Sequence, residues 1–199
     1  MSEVSETQLV GLAQKGDLEA FNELVRRYEK LVFNVAARLL SDSASAEDVT
    51  QETFISAYNN IGKFRGGSLK SWFLRIASNG CYDYMRTPRY RREVSLDASV
   101  DDSHFDVPSS LESPESYVQR RELGREIQTG LATLPEDQRT VLVLIDLQEQ
   151  SYDEVAQATG ASLGTVKSRL SRARAKLRDH LMQKRELLPQ KFRLTGEGL

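Results

Sequence analysis

The sequence predicts an all-α protein, two small helical domains joined by a flexible acidic linker, and three features carry that expectation. Apolar residues recur at i, i+3, i+4 and i+7 over most of the chain, and no β-hairpin signal interrupts them. Between Glu93 and Ser116 the composition changes to seven acids, two prolines and no Lys or Arg. Such a stretch has too little apolar surface to order itself. Finally, residues 164–178, "GTVKSRLSRARAKLR", gather six Lys or Arg and no acid in a chain whose formal net charge is −2.

In the first half, Phe21, Leu24, Val25, Tyr28, Leu31, Val32, Val35 and Leu39 form one helical stripe, with Asp17 placed to cap it. After "SDSASAED" a second helix is expected, with Ser45 and Asp48 at capping-box spacing and Phe54, Ala57, Tyr58 and Ile61 on its apolar face. The glycines of "GKFRGGS" break that helix, and Ser68 can cap a third, "SLKSWFLRIASNGCYDYMR", which stops before Pro88. Its apolar stripe is Leu69, Phe73, Ile76, Gly80 and Tyr84, with Trp72 beside it as a core residue. Gly80 costs about 1 kcal/mol against Ala in a helix interior, so close packing or a ligand's approach must explain it.

In the second half, "LPEDQRTVLVLIDLQ" reads as a helix with Pro135 in its first turn and acids beside it, where the helix dipole favours them. Ser151 and Glu154 form a capping box for a short helix that Gly160 can end in the left-handed conformation. Ser162 then caps the next helix, and the pair makes a helix-turn-helix. The boundaries expected are 1–92 for the first domain, 93–116 for the linker, 117–185 for the second domain and 186–199 for a disordered tail.

Composition excludes several classes. The N-terminus has acids where a secretory leader needs positive charge, and no apolar run approaches the roughly 18 residues of a membrane span. A cytoplasmic protein without membrane insertion is expected. Cys81 is the single cysteine, and His104 and His180 are far apart with no Cys partner, so no disulfide, zinc site or Cys/His nucleophile pair is expected. With no Gly-rich phosphate loop and no nucleophile turn, the chain reads as a non-enzyme with no metal and no cofactor.

On the basic helix, Val166, Leu170, Ala173 and Leu177 form a buried stripe, leaving Thr165, Lys167, Ser168, Arg169, Ser171 and Arg172 on outer surfaces. A recognition helix needs this layout: one side held by the core, and donors near its N-terminal half for base edges and phosphates. A solvated basic face is the bland alternative. The run sits behind a helix-turn-helix pattern and no acid balances it, which favours duplex DNA. Residues 161–185 carry eight Lys or Arg against Asp179 alone, so the acidity of the chain lies elsewhere. The linker's acids lie within reach of this helix and are expected to screen it.

The motifs "AFNELVRRYEKLVFNVAARLL", "AEDVTQETFISAYNNIGKFRG", "SWFLRIASNGCYDYMR" and "LPEDQRTVLVLIDLQEQSYDEVAQATGASLGTVKSRLSRARAKLR" occur in the order found in the extracytoplasmic-function (ECF) sigma factors. The chain resembles that family over roughly residues 5–183. The resemblance implies a polymerase specificity subunit that binds core RNA polymerase, recognises promoter DNA at its −10 and −35 elements and promotes melting. It implies that Asp48, Gln51, Glu52 and Ile55 dock on the β′ clamp coiled coil; they share a helical face opposite the Phe54/Tyr58/Ile61 stripe, although spacing alone serves a solvent face equally well. It implies single-stranded −10 contacts from Arg65 and Ser68 in the loop and from Arg75, Asn79, Tyr82, Asp83 and Arg86 on the third helix. Donors interleaved with an aromatic suit an unpaired strand. Many members have an acid where Gly67 stands. For the second domain it implies −35 contacts from Thr165, Lys167, Ser168, Ser171 and Arg172, docking on the β flap, and an anti-sigma factor as a further partner. The alternative is a helix-turn-helix regulator that binds duplex DNA without being a polymerase subunit. Such a protein has no reason to carry the "EDVTQETF" to "SNGCYDY" block.

Overall fold

The computed structural model describes residues 4–88, Tyr90 and residues 114–187, and the expected linker over 93–113 and the tail from 188 on lie outside them. Among the described residues there are eight α-helices and no strand. The first half begins one helix earlier than the apolar stripe suggests. Ser5 and Gln8 form a capping box for α1 (Glu6–Ala13). The Tyr28 hydroxyl donates to Glu6, which ties α1 to the next helix. From the end of α1, Gln14 Nε2 donates to the carbonyls of Ile61 and Phe64 at 3.1 and 2.9 Å.

Helix α2 (Leu18–Leu40) starts as expected, with the Asp17 carboxylate accepting the Ala20 N–H at 3.0 Å. Helix α3 (Ser43–Asn60) corrects the expectation of a Ser45 cap: Asp42 is the N-cap and accepts from Ser45 N at 2.7 Å. The Ser45 hydroxyl instead points inward and donates to Tyr84 at 2.7 Å. Asp is as good a cap as Ser and stands earlier in the chain, so the helix gains most of a turn. Ser68 caps α4 (Leu69–Met85) as expected, accepting from Ser71 N at 3.1 Å.

The second half starts with α5 (Pro114–Ala132), three residues inside the span expected for the linker. Pro135 is the N-cap of α6 (Glu136–Leu142) rather than its first turn. The chain then widens into a π-helical segment over Val143–Leu147, so the expected single helix changes hydrogen-bond register midway. The Ser151/Glu154 capping box opens α7 (Tyr152–Thr159), Gly160 ends it at φ 66°, and Ser162 caps α8 (Leu163–Leu181), all as expected.

Two apolar clusters hold these helices. One belongs to the first half alone, where Phe73 is fully buried between the rings of Tyr28 and Phe54 at 5.2 and 5.3 Å. The other runs through both halves: Val35, Leu39, Leu40, Leu74, Cys81 and Met85 pack with Leu131, Val141, Leu142, Leu144, Val155 and Leu170. Helix α4 is therefore buried on two sides. Its expected stripe is correct at Leu69 and Phe73, but Ile76, Gly80 and Tyr84 are half-buried, and Leu74, Ala77, Cys81 and Met85 are deeper. The correction follows from α7 packing on α4, which no local pattern announces. Gly80 lies where a Cβ would stand 3.3 Å from Val49 Cγ1, so glycine there serves the close approach of α3 and α4. Trp72 packs at the edge of the first cluster against Phe64 and Phe73.

Candidate nucleic-acid interface

On α8 the structure separates the cations into two groups. Arg169 bonds Asp137 at 2.8 Å, and Arg174 holds Asp146 through two nitrogens at 2.9 and 2.6 Å. Both acids lie on the α6/π segment, so the run that looks unbalanced in sequence is partly neutralised across the fold. Arg169, expected on an outer surface, is half-buried. Of the residues expected to contact the −35 duplex, Lys167, Ser168, Ser171 and Arg172 are all exposed, on the side away from Val166, Leu170 and Ala173. Thr165 is half-buried at the helix start, where its N–H bonds the Ser162 hydroxyl at 3.2 Å. Lys167 Nζ lies 5.9 Å from the Tyr152 ring centroid, which positions a flexible cation over α7. The resulting face has two cations and two hydroxyls with no carboxylate among them.

On α3, Asp48, Gln51, Glu52 and Ile55 are all exposed, and Ile55 at 55% is a large apolar side chain left in water. The buried side of the helix is Ala46, Val49, Thr50, Thr53, Phe54 and Ala57. Tyr58, expected among the apolar stripe, is 39% exposed and rests edge-on against Phe21 at 5.0 Å. Asp48 and Glu52 also line a groove of about 640 Å³ between α3 and α4, whose opposite wall includes Asn79 and Asp83. The structure thus brings residues from two separate motifs to one acidic channel, a proximity that spacing along the chain does not reveal.

The loop before α4 turns through Gly66 and Gly67, at φ 99° and 91°. Only glycine enters that region without strain, which explains a glycine at position 67. Lys63, Phe64, Arg65, Ser68, Trp72 and Arg75 line a cavity of about 190 Å³, and Gln157 of α7 closes one side of it. Lys63, Phe64 and Gln157 were not singled out from the sequence; an aromatic beside two cations was the available signal for the first two. Arg75, Asn79, Asp83 and Arg86 are exposed along α4. Tyr82 differs: it is half-buried, its hydroxyl reaches the Glu136 carbonyl at 3.4 Å, and burial raises its pKa.

Among the described residues no group of three or more His, Cys, Asp or Glu is placed to hold a metal ion, and no helix is long and apolar enough to cross a membrane. Burial pushes the Cys81 thiol up to about 12.

Comparison with known proteins places this geometry. Residues 24–91 match Sigma-70 region 2, and residues 124–177 match Sigma-70 region 4. The chain is 35% identical over 179 residues to the RNA polymerase sigma-H factor of Pseudomonas aeruginosa, covering 87% of this chain and 92% of that protein. It is 37% identical over 180 residues to the ECF RNA polymerase sigma-E factor of Escherichia coli K12, covering 87% and 93%. Among solved structures it is similar to the sigma factor RpoE in complex with the anti-sigma factor NepR from Bartonella quintana, with TM-score 0.63, 29% identity and coverage of 83% and 98%. It is also similar to CnrH in complex with the cytosolic domain of CnrY, with TM-score 0.62, 26% identity and coverage of 88% and 96%. Two sigma regions in the expected order, on a helical frame that exposes a basic face on α8 and a polar face on α3, lead to one conclusion: the chain belongs to the ECF sigma factors.

Proposed function

We propose that this sigma factor works as a non-enzymatic subunit of RNA polymerase, carrying two separate promoter readers and a clamp-docking helix. The observation that carries this reading is the pairing of an exposed Lys167/Ser168/Ser171/Arg172 face on α8 with a second polar face on α3 and α4, which a duplex-only regulator has no use for. The α8 face suits the major groove of the −35 duplex, with the hydroxyls and Lys167 toward base edges and Arg172 toward phosphate. Asp48, Gln51, Glu52 and Ile55 supply polar groups around an apolar centre, the composition of a docking patch. Arg65, Ser68, Arg75, Asn79 and Arg86 offer donors for an unpaired −10 strand, with Asp83 beside them and Tyr82 as the aromatic that must first leave its packed position.

The similarity to a sigma factor solved in complex with an anti-sigma factor supports an anti-sigma factor as a partner of this chain as well. In vitro transcription with core polymerase over a promoter library tests the function. The expected result is initiation from a subset sharing −10 and −35 sequences, and no initiation above core enzyme alone refutes it.

A further inference from the structure

The loop before α4 is held by a residue from a helix that the sequence did not announce. Its two glycines, Gly66 and Gly67, have positive φ, a backbone choice that costs the chain the most conformational freedom to fix. Just ahead of them Ile61–Lys63 form a single 3-10 turn, closed by the Phe64 N–H on the Ile61 carbonyl at 3.1 Å. Gln14 meets this turn from the end of α1. Its Nε2 donates to the carbonyl of Ile61 at 3.1 Å and to that of Phe64 at 2.9 Å, so one amide bridges the two ends of the segment that leads into the glycines. Arg65 leans on the same turn, donating from Nη1 to the Gly62 carbonyl at 3.3 Å.

Gln14 is itself well fixed. Its N–H bonds the Val10 carbonyl at 2.9 Å, and the turn that follows is closed by the N–H groups of Lys15 and Asp17 on the Leu12 carbonyl at 2.9 and 3.1 Å. Asp17 then caps α2, so the amide stands at a junction that two helices hold. Beyond the turn, the Phe64 ring lies 5.4 Å from that of Trp72, and both line the cavity that Arg65 and Ser68 share. Gln14 does not line that cavity, and its influence passes through the backbone of the turn.

We propose that Gln14 is a positioning residue for −10 recognition, tethering the Ile61–Phe64 turn to α1 so that Arg65 and Ser68 are held ready before DNA arrives. This rests on the assignment of Arg65 and Ser68 to the −10 strand made above. A loop with two glycines and no tether presents these side chains in many placements, and the strand that binds has to select one of them, which weakens binding. Gln14 is exposed, so water replaces its two bonds at little cost to the fold as a whole. Their loss falls on the loop.

The test uses the full chain and Gln14→Glu, which sets a carboxylate against both carbonyls, with Gln14→Ala as a second variant that removes the donor without adding charge. Trp72 is the single tryptophan and reports on the loop from its place beside Phe64. In both variants its emission should shift to the red and acrylamide should quench it more readily, with the helical circular dichroism unchanged. In holoenzyme assembled with core RNA polymerase, initiation over a promoter library should fall about fivefold, with sequence preference flattened within the −10 element and unchanged at −35. Asp42→Ala, which removes the α3 cap at the other end of that helix from the loop, is the control: it should lower stability to urea yet leave Trp72 quenching and −10 preference as in the parent. Trp72 quenching equal in parent and variants overturns the tether. Greater quenching with −10 preference intact overturns the positioning role, and so does the same flattening in Asp42→Ala. If the parent holoenzyme does not initiate, the sigma reading fails and takes the −10 role with it, while the Trp72 comparison still decides whether Gln14 holds the loop.

Discussion

Replacing Arg139 with Met tests how the second domain is built around a buried cation. Arg139 is 6% exposed, and its guanidinium donates to three carbonyls: Leu39 at 2.6 Å, Ala132 at 2.8 Å and Leu134 at 3.3 Å. Leu39 lies in the last turn of α2 and Ala132 ends α5, so the charge sits at two helix C-termini, where the dipoles favour it. Methionine keeps most of the volume but leaves three carbonyls without a donor. Each unsatisfied group costs about 1–3 kcal/mol. The recovered desolvation of the charge offsets part of that sum. The net expected loss is about 3 kcal/mol, or about 6–12 °C in Tm for a chain of this size. Urea unfolding followed by circular dichroism at 222 nm reads it directly, with the parent chain measured alongside. A loss under about 1 kcal/mol would show that water or neighbouring groups satisfy these carbonyls and would refute the account of Arg139 as a fastening residue.

Asp48→Ala with Gln51→Ala should weaken binding to core polymerase by about tenfold with unchanged helicity, since both side chains are exposed; titration against labelled core enzyme checks it. Arg172→Ala should weaken −35 duplex binding uniformly across sequences and reduce the magnitude of the salt slope by about 1, whereas Lys167→Ala should relax sequence preference by about 1–3 kcal/mol at one position. Competition binding at several salt concentrations separates the two. Gly160→Ala should destabilise the chain by about 1 kcal/mol, because the residue sits at φ 66° between α7 and α8. The Glu154 carboxyl is held below its ordinary value of 4.5, first by the Ser151 backbone N–H, against a desolvation that raises it, and then by the hydroxyls of Ser151 and Ser68 and by Lys70. A depressed folded-state pKa stabilises above the unfolded value and loses that stabilisation as pH falls through 4.5 toward the folded value. The parent chain should therefore lose more stability between pH 5 and 3 than Glu154→Gln, and equal slopes in urea titrations would contradict this.

The sequence by itself determined the parts of this protein that are local. Asp17, Ser68, Ser151, Gly160 and Ser162 cap or end helices because a cap needs only a side chain and a backbone group two or three residues away. Of the expected stripe Val166, Leu170, Ala173 and Leu177, the first three are buried and Leu177 is half-buried, legible for the same reason: helical spacing fixes which residues share a side. The family followed from motifs in order, and the exposed faces of α3 and α8 followed from the buried ones. Where sequence reading missed locally, as at Ser45, two equally good caps competed within one turn.

Tertiary structure alone decided what depends on residues far apart in the chain. Arg169 and Arg174 belong to a run that looks unbalanced in sequence, and only the fold brings Asp137 and Asp146 to them from another element. The family resemblance puts Tyr82 among the expected −10 contacts, yet α6 meets it there, and the deeper side of α4 is Leu74, Cys81 and Met85 because both halves of the chain close around it. Gln128 and Arg139 read as ordinary polar positions on helices, and only the end of α2, some 90 and 100 residues earlier, gives them their bonds. Helical periodicity specifies a side to bury but not the surface that buries it, and for a helix packed between two domains that surface is set by contacts whose sequence separation carries no local signal.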